Sequence, residues 1–168
     1  VSIPVLAYNN PDRTNVPLAP SVVAAVAKEA KNFVGVKDSS GDLTNTLGYI
    51  EMCPPDFRTF MGRDTMIYAG LCCGCVGAVA ATANVAPDIV MGIYNSFMAG
   101  DHEKAKEYQR KLSPLRRAFS LGTFPVVVKD AMELMGLPAG PCRAPITSLT
   151  GKPREELIAI LRAMGKIK

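Results

Sequence analysis

Four short apolar, β-rich runs recur along the first half of this 168-residue chain, and helical runs separate them. Ile3-Pro4-Val5-Leu6-Ala7-Tyr8, Phe33-Val34-Gly35-Val36-Lys37, Arg58-Thr59-Phe60-Met61 and Gly77-Ala78-Val79-Ala80-Ala81 end near residues 8, 37, 61 and 81, in steps of 29, 24 and 20 residues. Such steps are too long for hairpins and suit parallel strands joined by crossover helices. Pro20 fits the first turn of one helix, whose face carries Val22, Val23, Val26, Ala27 and Ala30. Asp42 reads as the N-cap of a second, running through Leu43, Leu47 and Ile50 until Pro54-Pro55 stop it. Thr65 to Leu71 and Val85 to Ala99 complete the series. Four βα units in a row predict either a doubly wound sheet or a (β/α) barrel. No G-x-G-x-x-G follows any strand, which counts against a dinucleotide-binding sheet.

Beyond Gly100 the pattern is helical: His102 to Ser120, Phe124 to Met135, and a last helix opened by Pro153 with Leu157, Ile158, Leu161 and Met164 on one face. A turn-rich stretch runs from Pro138 to Gly151. The expected division is residues 1–100 as half of a barrel and 101–168 as a helical region. An ordinary barrel takes eight strands and about 250 residues. Half a barrel would leave the first strand as an apolar open edge. Either another chain supplies the other half, or this is the C-terminal part of a longer protein.

Composition narrows the function classes. Hydrophobic residues at 48% and charged residues at 20% exclude a disordered chain or a disulfide-stapled mini-protein. No apolar run reaches the roughly 18–20 residues of a membrane span, and Val1 to Asn10 lacks the marks of a secretory signal. The net charge of +4 is spread along the chain and Trp is absent. That argues against nucleic acid and leaves room for one acidic small molecule. The cysteines (Cys53, Cys72, Cys73, Cys75 and Cys142) are odd in number and crowded, which suits a reducing cytosol better than a disulfide framework. With no second Cys pair at zinc spacing and a single His, His102, no metal is expected. The cysteine cluster reads as small buried residues at a helix end and the following turn, the Met residues as core, and His102 as a surface residue. Asp56, Asp64 and Asp88 show no acid–base pairing, and Gly151-Lys152 reads as a helix start rather than a phosphate loop.

Lys37 ends an apolar strand and precedes Asp38-Ser39-Ser40-Gly41-Asp42. In a barrel, residues at strand C-termini face the active-site mouth. An amine in apolar surroundings loses hydration, which disfavours its charged form and makes it a nucleophile towards carbonyls. On pattern alone, a snorkelling strand-end lysine is the favoured reading. Tyr8, at the same height one strand away, could shuttle protons, and Arg13 offers a planar fork for a carboxylate. Taken singly, they also read as a strand-end aromatic and a solvated turn arginine.

Together, Tyr8-Asn9-x-Pro11-x-Arg13-Thr14 and Val34-Gly35-Val36-Lys37-Asp38-Ser39-Ser40-Gly41-Asp42 resemble the class I pyruvate-lyase superfamily of dihydrodipicolinate synthase and N-acetylneuraminate lyase. The resemblance continues through Gly62-Arg63-Asp64 and Gly77 to Ala86, and into Gly140-Pro141-Cys142-Arg143-Ala144-Pro145, covering nearly the whole chain in order. It implies the second half of a TIM (β/α)8 barrel, four βα units, followed by a three-helix C-terminal appendage. It also implies Lys37 as the Schiff-base lysine for pyruvate, Tyr8 as the proton-relay phenol, and Val79 lining the pyruvate pocket through its backbone. Arg13 would hold the carboxylate of aspartate semialdehyde. The implied protein is a cytoplasmic carbon–carbon lyase without cofactor, a tetramer or dimer acting on pyruvate and a small carboxylated aldehyde. The family's Gly-x-Thr-Thr-Gly-Glu loop and the second Tyr of its relay are absent, so activity is expected to need the N-terminal half. Asn15 stands where the family has Gly after Arg-Thr. Arg13 points to the synthase, whereas Pro141 to Pro145 is more like the 4-hydroxy-2-oxoglutarate aldolases. A lyase acting on other 2-oxo acids, and an inactive half-barrel serving only in assembly, are the alternatives.

Overall fold

A computed structural model describes all 168 residues. The chain divides into two compact units: residues 1–80 with 97–100, and residues 81–96 with 101–168. No helix is long and apolar enough to cross a membrane.

The first unit is a four-stranded parallel sheet in the order β1 (Val5–Asn9), β2 (Phe33–Asp38), β3 (Arg58–Met61), β4 (Gly77–Ala78). Its helices are α1 (Pro11–Thr14), α2 (Pro20–Glu29), α3 (Leu43–Met52) and α4 (Ile67–Cys73). Pro20 occupies the first turn of α2, where its missing N–H costs no helical bond. The Asp42 carboxylate caps α3 by accepting the Thr44 N–H at 2.8 Å. Helix α3 ends at Met52, with Cys53 extended before Pro54. Gly74, at φ +105°, ends α4 in the left-handed conformation that glycine adopts without strain.

Register decides what each sheet face carries. Tyr8 lies opposite Lys37, Lys37 opposite Phe60, and Phe60 opposite Gly77, so these four share one face. Ala7 and Val36, one residue earlier, turn to the other face. There the core of Val23, Ala24, Val36, Tyr49 and Cys53 packs with Ala7, Leu18, Phe33 and Phe57. Gly35 permits the β2–β3 approach, because a Cβ there would lie 2.5 Å from the Arg58 carbonyl oxygen.

The second unit takes most of α5 (Pro87–Met98) with α6 (His102–Arg117), α7 (Val126–Leu134) and α8 (Gly151–Ala163). Ile89 and Ile93, Leu112 and Leu115, Val127 and Ala131, and Leu157 and Leu161 are buried at spacings of one helical turn. Helix α7 pins the turn-rich stretch after it. Buried Asp130 accepts the Leu149 N–H at 2.6 Å, and Glu133 accepts the N–H groups of Ala139 and Gly140 at 3.1 and 2.8 Å.

Several expectations need correction. The fourth strand holds two residues rather than five, because Ala81–Asn84 coil into a 3-10 turn. The helix expected over Thr65 to Leu71 is a 3-10 turn, Asp64–Met66, leading into α4. Helix α6 stops at Arg117, before a 3-10 turn at Ala118–Leu121, and α7 starts at Val126, behind Pro125. Helix α8 opens at Gly151, as the Gly151-Lys152 reading has it, two residues before the Pro153 also expected to open it. The methionines are not core as a class: Met61, on a strand, is buried, whereas Met52, Met91 and Met98 are exposed. Unbranched Met tolerates either setting, so its presence on a helix carries little information about burial.

Candidate active site

Parallel strands bring all their C-terminal ends to one sheet edge, and Tyr8 and Lys37 lie near the ends of the two neighbouring strands β1 and β2. The Lys37 Nζ lies 4.0 Å from the centroid of the Tyr8 ring. The Tyr8 hydroxyl accepts a hydrogen bond from Asn10 Nδ2 at 3.0 Å. Burial alone would push this phenol up. Hydrogen bonds with Ser39, Lys37 and Asn10, together with the Lys37 charge, outweigh it and hold the phenol below the ordinary tyrosine value.

The residues that alternate with this pair hold it in place. Asp38 follows Lys37, is fully buried on the opposite face, and accepts four hydrogen bonds. They come from Thr46 Oγ1 at 2.7 Å, Asn9 Nδ2 at 2.9 Å, the Ser40 N–H at 3.0 Å and Asn45 Nδ2 at 3.4 Å. Asn9, which follows Tyr8, uses its Oδ1 to accept the Leu18 N–H at 3.0 Å. The strand pleat thus sends a chemical residue to one face and its anchor to the other at both positions. The Gly62 N–H donates to the Asp38 carbonyl at 2.7 Å, extending the frame to β3. A Cβ on Gly62 would fall 2.1 Å from Ser39 Oγ, so only glycine allows this approach.

Arg13 is exposed on α1, a single turn without buried residues, whose Arg13 N–H donates to the Asn10 carbonyl at 2.9 Å. The turn ends at Asn15 with φ +55°. Asn is among the few non-glycine residues that enter this left-handed region readily, so it serves where the resembled family has Gly. Val79, one residue past β4, is 48% exposed, and its N–H donates to the Met61 carbonyl at 2.9 Å. The structure therefore joins Tyr8 and Lys37 directly, and sets Arg13 and Val79 just beyond the C-terminal ends of the two outer strands.

Sequence reasoning did not single out Asn10, Ser39, Asp38 or Arg63. The strict alternation around Tyr8 and Lys37 could have marked Asn9 and Asp38 as anchors. Arg63 lies in the Gly62-Arg63-Asp64 run of the resemblance, but that run assigns it no role; it donates from Nη2 to Asp12 Oδ2 and to the Ser40 carbonyl, both at 3.1 Å. Of the clustered cysteines, Cys75 is buried and its thiol is pushed up to about 12 by burial and then by Cys73, but Cys72 is exposed, contrary to expectation. No three His, Cys, Asp or Glu side chains are grouped to hold a metal ion. A cavity of about 630 Å³ in the second unit lies between α5, α6 and α8, and contains none of the four expected site residues.

Residues 1–164 match the sequence model of the Dihydrodipicolinate synthetase family. The chain is 38% identical over 165 residues to the 4-hydroxy-tetrahydrodipicolinate synthase of Methanopyrus kandleri, covering 98% of itself and 55% of that protein. Against the crystal structure of dihydrodipicolinate synthase from Thermotoga maritima, the TM-score is 0.94 at 30% identity, covering 99% of this chain and 58% of that one. The E. coli prophage protein YagE, crystallised in complex with pyruvate, gives a TM-score of 0.92 at 27% identity, covering 98% and 57%. The chain thus spans little more than half the length of these relatives. Its four βα units are the second half of a (β/α)8 barrel, and its remaining helices are those that follow the barrel.

Proposed function

The chain belongs to the dihydrodipicolinate synthetase family, and from that premise we propose that it is the lysine-bearing half of a pyruvate-dependent Schiff-base synthase. The observation that carries this reading is the in-register contact of Lys37 with Tyr8 at the C-terminal ends of adjacent strands. The Lys37 amine adds to the keto carbon of pyruvate, and the carbinolamine loses water to an imine. The Tyr8 phenol, its ionised form favoured by its neighbours, carries protons to and from these intermediates. The imine tautomerises to an enamine, whose methylene attacks the aldehyde of a second substrate. Backbone groups at Val79 line the pyruvate, and Arg13 receives the carboxylate of the aldehyde, which favours aspartate semialdehyde. The Pro141 to Pro145 segment is what favours a 4-hydroxy-2-oxoglutarate aldolase as the second reading.

Residues 1–100 serve as the second barrel half and 101–168 as the helical region. The working enzyme needs the first barrel half, is a homo-oligomer, and suits a reducing compartment, since all five cysteines are free. The inactive-partner alternative gains nothing from a Tyr–Lys pair kept intact. The test is to join the chain to the first four βα units of a relative, incubate it with pyruvate and borohydride, and map the reduced adduct by peptide mass. Label on the Lys37 peptide, abolished by Lys37→Ala, supports the reading. A folded eight-stranded preparation that takes no label, or takes it elsewhere, overturns it.

A further inference from the structure

We propose that Arg63 is a positioning residue for the aldehyde-binding end of this site, holding α1 in place and cancelling the Asp12 charge beside Arg13. This rests on the reading of Arg13 above and extends it. Helix α1 is four residues long, has no side-chain cap and buries nothing, so hydrophobic packing does not fix it. Its neighbour in the fold is Arg63, fifty-one positions away, whose Nη2 forms an ion pair with Asp12 Oδ2 at 3.1 Å. The same nitrogen donates to the Ser40 carbonyl at 3.1 Å, so one guanidinium ties α1 to the loop after β2 that follows Lys37.

The loop is shaped to receive it. Gly41 has φ +79°, and a Cβ there would lie 2.9 Å from Arg63 Nε and 3.0 Å from Nη2. The Arg63 side chain is 25% exposed and held by the loop, while its partner Asp12 is 62% exposed, so the tie rests on the two hydrogen bonds of the guanidinium rather than on burial of the ion pair. Asp12 directly precedes Arg13. Without Arg63, its carboxylate would stand uncompensated one residue from Arg13 and repel an incoming carboxylate. Arg63 therefore acts on the second substrate, through Asp12 and α1, and not on imine formation.

The test uses the eight-stranded preparation and separates the two substrates. Arg63→Ala should raise KM for an anionic aldehyde on the order of tenfold, as Arg13→Ala does, with little effect on borohydride trapping of pyruvate. Adding Asp12→Asn to Arg63→Ala should recover the part of that loss due to the uncompensated Asp12 charge and leave the part due to the lost tie to α1, and a neutral aldehyde should not show the part due to charge. Arg63→Lys, which keeps the charge, should remain close to the unmodified protein and serves if the alanine variant does not fold. An unchanged KM in Arg63→Ala, or a double variant no better than the single one, overturns the proposal. So does an Arg13→Ala variant with unchanged KM. Failure of the unmodified protein to trap pyruvate on Lys37 overturns the site reading itself, and is read separately.

Discussion

At the scale of single residues, the informative group is the Tyr8 phenol. It is 52% exposed, yet its partners outweigh the cost of its burial and lower its pKa. The unfolded chain then holds the phenolic proton to higher pH than the fold does. Folding stability should rise with pH through the window between the lowered value and the ordinary one, and fall away as pH drops through the lowered value. Ultraviolet difference titration should show one phenol ionising below the ordinary tyrosine value. Tyr8→Phe should remove it, and Lys37→Met or Asn10→Ala should move its midpoint up. A Tyr8 that titrates at the ordinary value, with no response to Lys37→Met, would contradict the geometry. Strand-end position and residue type mark Tyr8 and Lys37 in the sequence as candidates beside plain structural readings, and it is the family resemblance that singles them out. The roles of Asn10, Ser39 and Arg63 were not legible, because a hydrogen-bond donor is identified by where it points, and pointing is settled by neighbours distant in sequence.

At the scale of elements, the short turn α1 shows how local chemistry and register share the work. Asn15, which caps its C-terminal end, sits at φ +55°, where a β-branched side chain clashes with its own backbone. Asn15→Val should cost about 1–2 kcal/mol of stability. Asn15→Gly should be neutral or slightly stabilising, both read from denaturant midpoints. An Asn15→Val variant as stable as the parent would mean that α1 does not hold this conformation. The cap at Asp42 was readable, because a short acidic side chain just before an apolar helical run can accept a backbone N–H two residues on, whereas the cap at Asp101, which accepts the Lys104 N–H, is added by the structure. The two-residue β4 was not readable. Gly77-Ala78-Val79-Ala80-Ala81 has strand-like composition, but pairing with β3 ends when β3 ends at Met61, and the surplus residues coil. Strand length is set by the partner as much as by propensity.

At the scale of the whole molecule, the four-stranded sheet has β1 at one edge, with Leu6 45% exposed and Val5 and Tyr8 also exposed. An open apolar edge invites pairing with another strand. The 168-residue chain by itself should therefore self-associate, and Leu6→Lys should shift sedimentation toward a single smaller species. Equal sedimentation of the two would argue that the edge is covered in some other way. The order of the elements, the parallel sheet and the kinship of the chain followed from the sequence alone. Period and spacing are local quantities, and the crossover length by itself excludes hairpins. Tertiary structure decided what period cannot encode: which residues meet. The contact of Lys37 with Tyr8, the anchoring of Asp38, and the Arg63 bridge to Asp12 each depend on a register between separate segments. That register is fixed only when the helices pack and the sheet pairs, and a one-residue slip of β1 against β2 would put Tyr8 and Lys37 on opposite faces.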